Sequence, residues 1–167
     1  MLSYALRALP CALRAWSRAD GGLISTVHDR VWLSEIDGNW HMNQAAYPAA
    51  LERGRMDWVL RSGAIRRWRS KGVTAMVAEQ HIVYRRELKP FAPYRIDTRA
   101  VRVNGRLLAF EQHVLVGERV HARGRVLFIF VGPNGVLAAE AVSALCAPFL
   151  TEPLTVERWV AAEAAGA

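Results

Sequence analysis

Seven residues, Asp37-Gly38-Asn39-Trp40-His41-Met42-Asn43, place a carboxylate, an imidazole and a carboxamide directly ahead of a stretch that reads as a helix. Carboxylate and imidazole groups exchange protons near neutral pH, and this otherwise apolar chain concentrates them here. Spacing alone leaves each residue a second explanation. Asp37 suits a turn, His41 can orient the loop by bonding backbone, and Asn43 can fix the start of the helix as an Asx-turn or near-cap residue.

The elements that must hold these groups follow from the hydrophobic pattern. Ile24 to Glu35 alternates loosely, with Val27, Val31 and Leu33 on one side and His28, Arg30 and Trp32 on the other, which predicts a first strand. The polar run Asp37 to Asn43 breaks it. A helix is predicted from about Ala46 to Arg61, with Pro48 tolerated in the first turn and Ser62-Gly63 as the stop. Its apolar positions Ala50, Leu51, Gly54, Met56, Trp58, Val59 and Leu60 cover more than a stripe, so the helix needs cover over much of its circumference.

A basic linker, Ile65 to Gly72, leads to a second strand from Val73 to Tyr84 with two fairly apolar faces. Pro90 and Pro93 bound a turn, Tyr94 to Val103 resumes the alternation, and Asn104-Gly105 is the strongest hairpin signal, both residues accepting positive φ at low cost. Strands near Leu107 to Val116 and Val120 to Val131 follow. Helical segments near Leu137 to Cys146 and Val156 to Ala164, split by Pro148 and Pro153, close the chain. Strand, helix, then four strands on short connections is an α+β order: an antiparallel sheet wrapped on one long helix. The sequence lacks a phosphate-binding glycine loop, zinc-finger spacing, a GxSxG elbow and any internal repeat.

Composition sets the outer bounds. The 167 residues, 52% of them hydrophobic, can bury one core without a metal or disulfide staple. Residues 23–150 are expected to form that domain, between a basic N-terminal arm at 1–22 and a helical tail at 151–167. Cys11 and Cys146 sit among Ala and Leu, as small buried thiols in a reducing compartment would, so the expected location is cytoplasmic. In the arm, Arg7, Arg14 and Arg18 can share one side of a helix that Pro10 interrupts. An interfacial arm giving peripheral membrane association, a transit-like segment and a helix packed on a neighbouring subunit all remain open. No run is long enough for a transmembrane helix.

The formal charge is +7, and the segment Arg61 to Arg102 alone holds eleven Arg or Lys against Glu79, Glu87 and Asp97. Partners bearing phosphate fit such a region, and so does a basic solvated surface. Nucleic acid is not the expected partner, since the predicted helix covers a sheet face that aromatic and basic residues would have to share.

Arg30-Val31-Trp32-Leu33-Ser34-Glu35-Ile36-Asp37, His41-Met42-Asn43, Tyr47 and Leu51-Glu52-Arg53-Gly54-Arg55, with Glu79 to Phe91 further on, resemble the hotdog-fold acyl-CoA thioesterases of the 4-hydroxybenzoyl-CoA thioesterase type. The likeness is nearest to the thioesterase-like branch that includes the human protein THEM-six, and spans roughly Ile24 to Ala147. It implies two subunits joined edge to edge through their sheets, as a dimer or a dimer of dimers, with active sites at the subunit interface. It implies hydrolysis of an acyl-CoA or acyl carrier protein thioester, without metal or redox cofactor and with coenzyme A only as part of the substrate.

Carried onto this chain, the resemblance makes Asp37 the catalytic carboxylate, a nucleophile or a general base, with His41 and Asn43 beside it. Backbone N–H groups around Ala46 and Tyr47 would polarise the carbonyl, because a first helical turn leaves its amides unpaired. Another branch uses a helix glutamate, which makes Glu52 a reserve. Two departures touch this turn: Gln44 stands where relatives commonly have a second Asn, and Pro48 replaces an aliphatic residue. Coenzyme A phosphates would need cations, from Arg66, Arg67, Arg69 and Lys71 or from Arg85, Arg86 and Lys89. Met56, Trp58 and Trp68 are candidates for an acyl slot, with plain core as the alternative.

Overall fold

The computed structural model describes Leu13 and residues 21–152. The predicted Val156 to Ala164 helix, most of the basic arm and Cys11 lie outside the described residues. A six-stranded antiparallel sheet runs in the order β1-β3-β4-β5-β2, from β1 (Ile24–Arg30), β2 (Thr74–Tyr84), β3 (Pro93–Asn104), β4 (Leu107–Val116) and β5 (Arg119–Gly132), with the short β6 (Gly135–Val136) on β5. It curls about the 15-residue helix α1 (Tyr47–Arg61), which packs on β1, β3 and β4. This is the α+β arrangement that the alternating strands and the single long apolar helix predict. The described residues contain no helix long and apolar enough to cross a membrane, and no cluster of side chains able to hold a metal ion.

Two expectations need correction. The basic segment at 65–72 is not a linker but a second helix, α2 (Ala64–Ser70), started by Gly63 at φ +76°. Its core-facing side consists of Ala64 and Trp68, one turn apart and both buried, and the arginines between them mask that two-residue stripe in the sequence. The first strand stops at Arg30, not Glu35. Leu33–Glu35 is a 3-10 turn in which the Glu35 carboxylate accepts the Trp32 N–H at 3.0 Å, closing a local ring that competes with the ladder. The last described helix, α3 (Ala139–Cys146), starts two residues later than predicted because Gly135–Val136 pairs with the end of β5.

Two packed clusters form the core. One joins Trp58, Trp68, Phe110, Phe130 and Cys146 beneath α2 and α3. The other, of Val31, Met42, Tyr47, Leu51, Leu88, Tyr94 and Ile96, lies under the Asp37 turn and holds the start of α1. Helix and sheet come unusually close at Gly54, where an added Cβ would stand 2.5 Å from Thr98 Oγ1 and 3.0 Å from Gln112 Nε2. At this crossing the buried Gln112 donates to Leu51 O (2.8 Å) and Thr98 Oγ1 (2.9 Å) and accepts from Arg55 Nη1 (2.7 Å).

Candidate active site

The Asp37 turn is fastened at both ends. Ile36 and Met42 form an isolated antiparallel bridge, Met42 N–H donates to Leu88 O at 2.8 Å, and Asn43 N–H donates to Glu35 O at 2.7 Å. Glu35 lies close to Arg53 of α1, which also donates to Tyr94 Oη (2.9 Å) and pairs with Asp29 Oδ2 at 2.7 Å. A buried guanidinium thus ties β1, β3 and the turn to the central helix. The tip is looser. Trp40 is exposed and takes φ +55°, a region that a side chain occupies only under constraint.

Within the turn the Asp37 carboxylate accepts Asn39 N–H at 2.9 Å and faces His41 Nδ1 at 3.4 Å. Both side chains are partly exposed, at 23% and 30%, so they are held in place while solvent still reaches them. Together with Asn43, Gln44, Tyr47, Tyr84, Arg85, Arg86 and Glu87 they line a cleft of about 590 Å³. Tyr47 and Tyr84 close its floor edge to face, ring centroids 5.0 Å apart, and Tyr84 Oη donates to Gln44 O at 3.4 Å. Burial, with Tyr84 beside it, pushes the Tyr47 phenol up to about 12, so it stays protonated and can only serve as a neutral hydrogen-bonding group near neutral pH.

The start of α1 is organised by Asn43. Its side-chain oxygen accepts Ala45 N–H at 2.8 Å and its carbonyl accepts Ala46 N–H at 2.9 Å, while Tyr47 N–H donates to Gln44 O across the 3-10 turn Gln44–Ala46. The amides of Ala46 and Tyr47 are therefore engaged, and Pro48 has none to offer. The bonds of this turn leave over the Gln44 N–H.

The remaining sequence candidates fall elsewhere. Arg67 and Lys71 line a separate cavity of about 570 Å³ with Val73, Leu137 and Leu145. Arg66 lies beside Gly63, Arg69 is exposed on α2, and Lys89 pairs with Glu87 at 2.7 Å. Glu52 and Met56 line a smaller hollow of about 300 Å³ with Arg55, Val59, Ala75, Val77 and Phe128, farther along α1. Trp58 and Trp68 are core, at 0% and 1% exposure, stacked edge-on against Phe110 and Phe130. Sequence reasoning missed Tyr84 and Glu87 as cleft residues. The available signal was that Tyr84 ends an apolar strand immediately before the Arg85-Arg86 pair.

The sequence profile of the thioesterase-like superfamily matches residues 31–149. No curated protein matches the chain. Among solved structures it is similar to the probable thioesterase YbaW of Escherichia coli (20% identity, TM-score 0.70, 76% of this chain and 99% of that one). It is also similar to a hypothetical protein of Staphylococcus aureus in complex with CoA (16%, TM-score 0.59, 81% and 90%). A third, the 12:0-ACP thioesterase of Umbellularia californica, shares 9% identity at TM-score 0.71, with 82% of this chain and 54% of that one covered. At these identities the likeness establishes the hotdog fold.

Proposed function

We infer that this chain, which belongs to the thioesterase-like superfamily, hydrolyses an acyl-CoA or acyl carrier protein thioester in the Asp37 cleft. Within the superfamily the residues of the turn and of α1 favour the 4-hydroxybenzoyl-CoA thioesterase type and the branch that includes THEM-six. The observation that carries the activity is a partly exposed carboxylate, fixed by Asn39 N–H and facing His41, in a cleft whose rim bears Arg85 and Arg86. Asp37 acts on the carbonyl carbon as nucleophile, or on water as general base; His41 orients it. The Gln44 N–H is the donor for the developing oxyanion, aided by the positive end of α1. The arginines meet the phosphates of the coenzyme A portion, chemistry that the CoA complex of the Staphylococcus aureus relative makes reasonable for this chain. The hollow of Met56, Val59, Ala75, Val77 and Phe128 takes the acyl chain, with Glu52 and Arg55 at its edge.

A second reading, an acyl-CoA or lipid-binding protein without turnover, is favoured by one observation: the Ala45, Ala46 and Tyr47 amides are all spent inside the turn. One experiment separates the two. Short, long and aromatic acyl-CoA substrates are hydrolysed by the native chain, and Asp37→Ala and Asp37→Asn each lose roughly 10²-fold or more in kcat with folding intact. Tight binding of acyl-CoA with no turnover of any substrate by the native chain overturns hydrolysis in favour of binding.

A further inference from the structure

Every exposed tryptophan and phenylalanine among the described residues, Trp32, Trp40 and Phe91, sits on loops beside the Asp37 turn, and Leu33 is exposed with them. We propose that this end of the molecule is a lipid-docking surface. The four apolar side chains enter the interfacial layer of an anionic bilayer, and the basic residues around them meet its headgroups. Such docking is independent of the acyl-CoA chemistry above.

Three segments build this end: the one that follows β1, the Asp37 turn, and the one that leads into β3. Hydrogen bonds stitch them side by side. Phe91 N–H donates to Val31 O at 3.1 Å, Val31 N–H to Ala92 O at 3.1 Å, and Met42 N–H to Leu88 O at 2.8 Å, while Ile36 and Met42 form their bridge. Val31, Met42 and Leu88 are buried in one cluster, so the segments share a packed base. From it Trp32, Leu33, Trp40 and Phe91 project at between 47% and 68% exposure.

Two of these rings are held out by backbone that favours glycine. Ala92 N–H donates to Lys89 O at 3.1 Å, closing a turn with Pro90 at its second position and Phe91, at φ +60°, at its third. A turn of this kind needs positive φ at the third position and usually places glycine there. In the Asp37 turn, Trp40 N–H donates to Asp37 O at 3.1 Å and Asp37 N–H donates to His41 O at 3.1 Å, with Trp40 at φ +55°. That is a tight turn followed by a left-handed residue, again a glycine position. Trp40 and Phe91 are the only non-glycine residues at positive φ among the described residues. Glycine would suit the backbone better at both, and the fold does not bury either ring in return. Strain kept by an exposed aromatic points to a use outside the fold.

Charge selects the occupant. Over residues 30–43 and 84–91, Arg30, Arg85, Arg86 and Lys89 are exposed, and Glu87 is the one exposed carboxylate, since Glu35 is buried and Asp37 is partly shielded in the cleft. Trp and Phe interleaved with Arg and Lys is the composition that sits at a bilayer surface, rings at headgroup level and cations against anionic lipid. None of the three cavities described above is lined by Trp32, Leu33, Trp40 or Phe91. The four are protrusions with no recess among those cavities to receive a partner's anchor, which favours lipid over protein. Asn39, next to Trp40, lines the Asp37 cleft, so docking brings the mouth of that cleft to the headgroup layer.

The test is cosedimentation of the full chain with phosphatidylcholine vesicles containing phosphatidylglycerol, which needs no substrate. The native chain is bound, and Trp40→Gly and Phe91→Gly each weaken partitioning about fivefold or more. Trp40→Gly leaves the unfolding midpoint unchanged or raised, because glycine relieves the positive φ. Orientation is read in a Cys11→Ser background with an environment-sensitive fluorophore. Attached through Leu33→Cys it shifts to the blue when vesicles are added; attached through Arg106→Cys, in the β3–β4 turn at the other end of the sheet, it does not. Undiminished binding by the double variant Trp40→Gly, Phe91→Gly assigns lipid binding to another part of the chain and overturns the proposal. A blue shift at position 106 instead of 33, or a lowered midpoint for Trp40→Gly, does the same. Failure of the native chain to bind vesicles also overturns it, and if both glycine substitutions then weaken binding of an acidic acyl carrier protein, the surface belongs to a protein partner.

Discussion

Replacing Gly54 with Ala adds one methyl group on the buried side of α1, and two effects of opposite sign compete. Helix propensity favours Ala by about 1 kcal/mol in a solvent-facing position. Here the methyl carbon would stand 2.5 Å from Thr98 Oγ1 and 3.0 Å from both Gln112 Nε2 and Ile96 Cγ2, closer than such atoms approach. None of these neighbours can swing aside freely. Thr98 and Ile96 are on β3 and wholly buried, and Gln112 is pinned by Leu51 O, Thr98 Oγ1 and Arg55. Relief must come from moving α1 off the sheet or from breaking the Gln112 to Thr98 bond. Overpacking costs about 1–3 kcal/mol and an unsatisfied buried donor about 1–3 more. The propensity gain offsets part of this, leaving a net loss of roughly 1–5 kcal/mol. Denaturant unfolding followed by Trp fluorescence reads this as a lower midpoint at an unchanged slope. In a Thr98→Ala background the obstructing oxygen is gone, so Gly54→Ala should cost at least about 1 kcal/mol less than in the native chain. A raised midpoint for Gly54→Ala, or strict additivity of the two changes, would refute the close-approach argument.

Arg53→Met should cost roughly 2–4 kcal/mol in the same assay, because it removes the buried guanidinium that pairs with Asp29 and lies near Glu35. Since Glu35 also holds Asn43 N–H, thioester turnover should fall further than stability alone accounts for; an unchanged kcat would detach the guanidinium from the turn. His113 is pushed down to about 4 by burial and by Arg123, and its Nε2 has no hydrogen-bond partner among the described residues. The folded state therefore resists a proton that the unfolded chain accepts below about 6.5, so this contribution is complete above that pH and is lost as pH falls toward 4. Its size, discounted for solvent screening, is about 2 kcal/mol, and stability of His113→Phe should change less with pH over that window. The buried Cys146 thiol is pushed up to about 12, so in a Cys11→Ser background it should react with a maleimide only as fast as the protein unfolds. Rapid labelling under native conditions would contradict that burial.

The sheet was legible because its strands carry a period of two and its turns carry Asn104-Gly105 and the prolines, signals that act within a few residues. The long helix was legible for the same local reason. Helix α2 was not, because two buried side chains a turn apart leave little periodicity when arginines fill the gaps. Nor could the sequence reveal that α1 buries Arg53, Arg55 and Asp57 beside its apolar residues, since their partners Asp29, Gln112 and Ser25 come from distant strands. At the candidate site the clustering of Asp37, His41 and Asn43 was visible in one segment. The sorting of the basic residues was not: Arg85 and Arg86 reach the cleft through the path of β2, while Arg67 and Lys71 are carried to another wall by α2.

The fastening of the Asp37 loop has a practical side for anyone wishing to alter what the protein accepts. Its anchors sit at Ile36, Met42 and Asn43, whereas Gly38, Asn39 and Trp40 are exposed, Asn39 at the lining of the cleft and the other two on either side of it in the chain, and contribute little to the packed interior. Variation introduced at these three positions should reshape the doorway while the carboxylate keeps its address, which makes them the place to build a library.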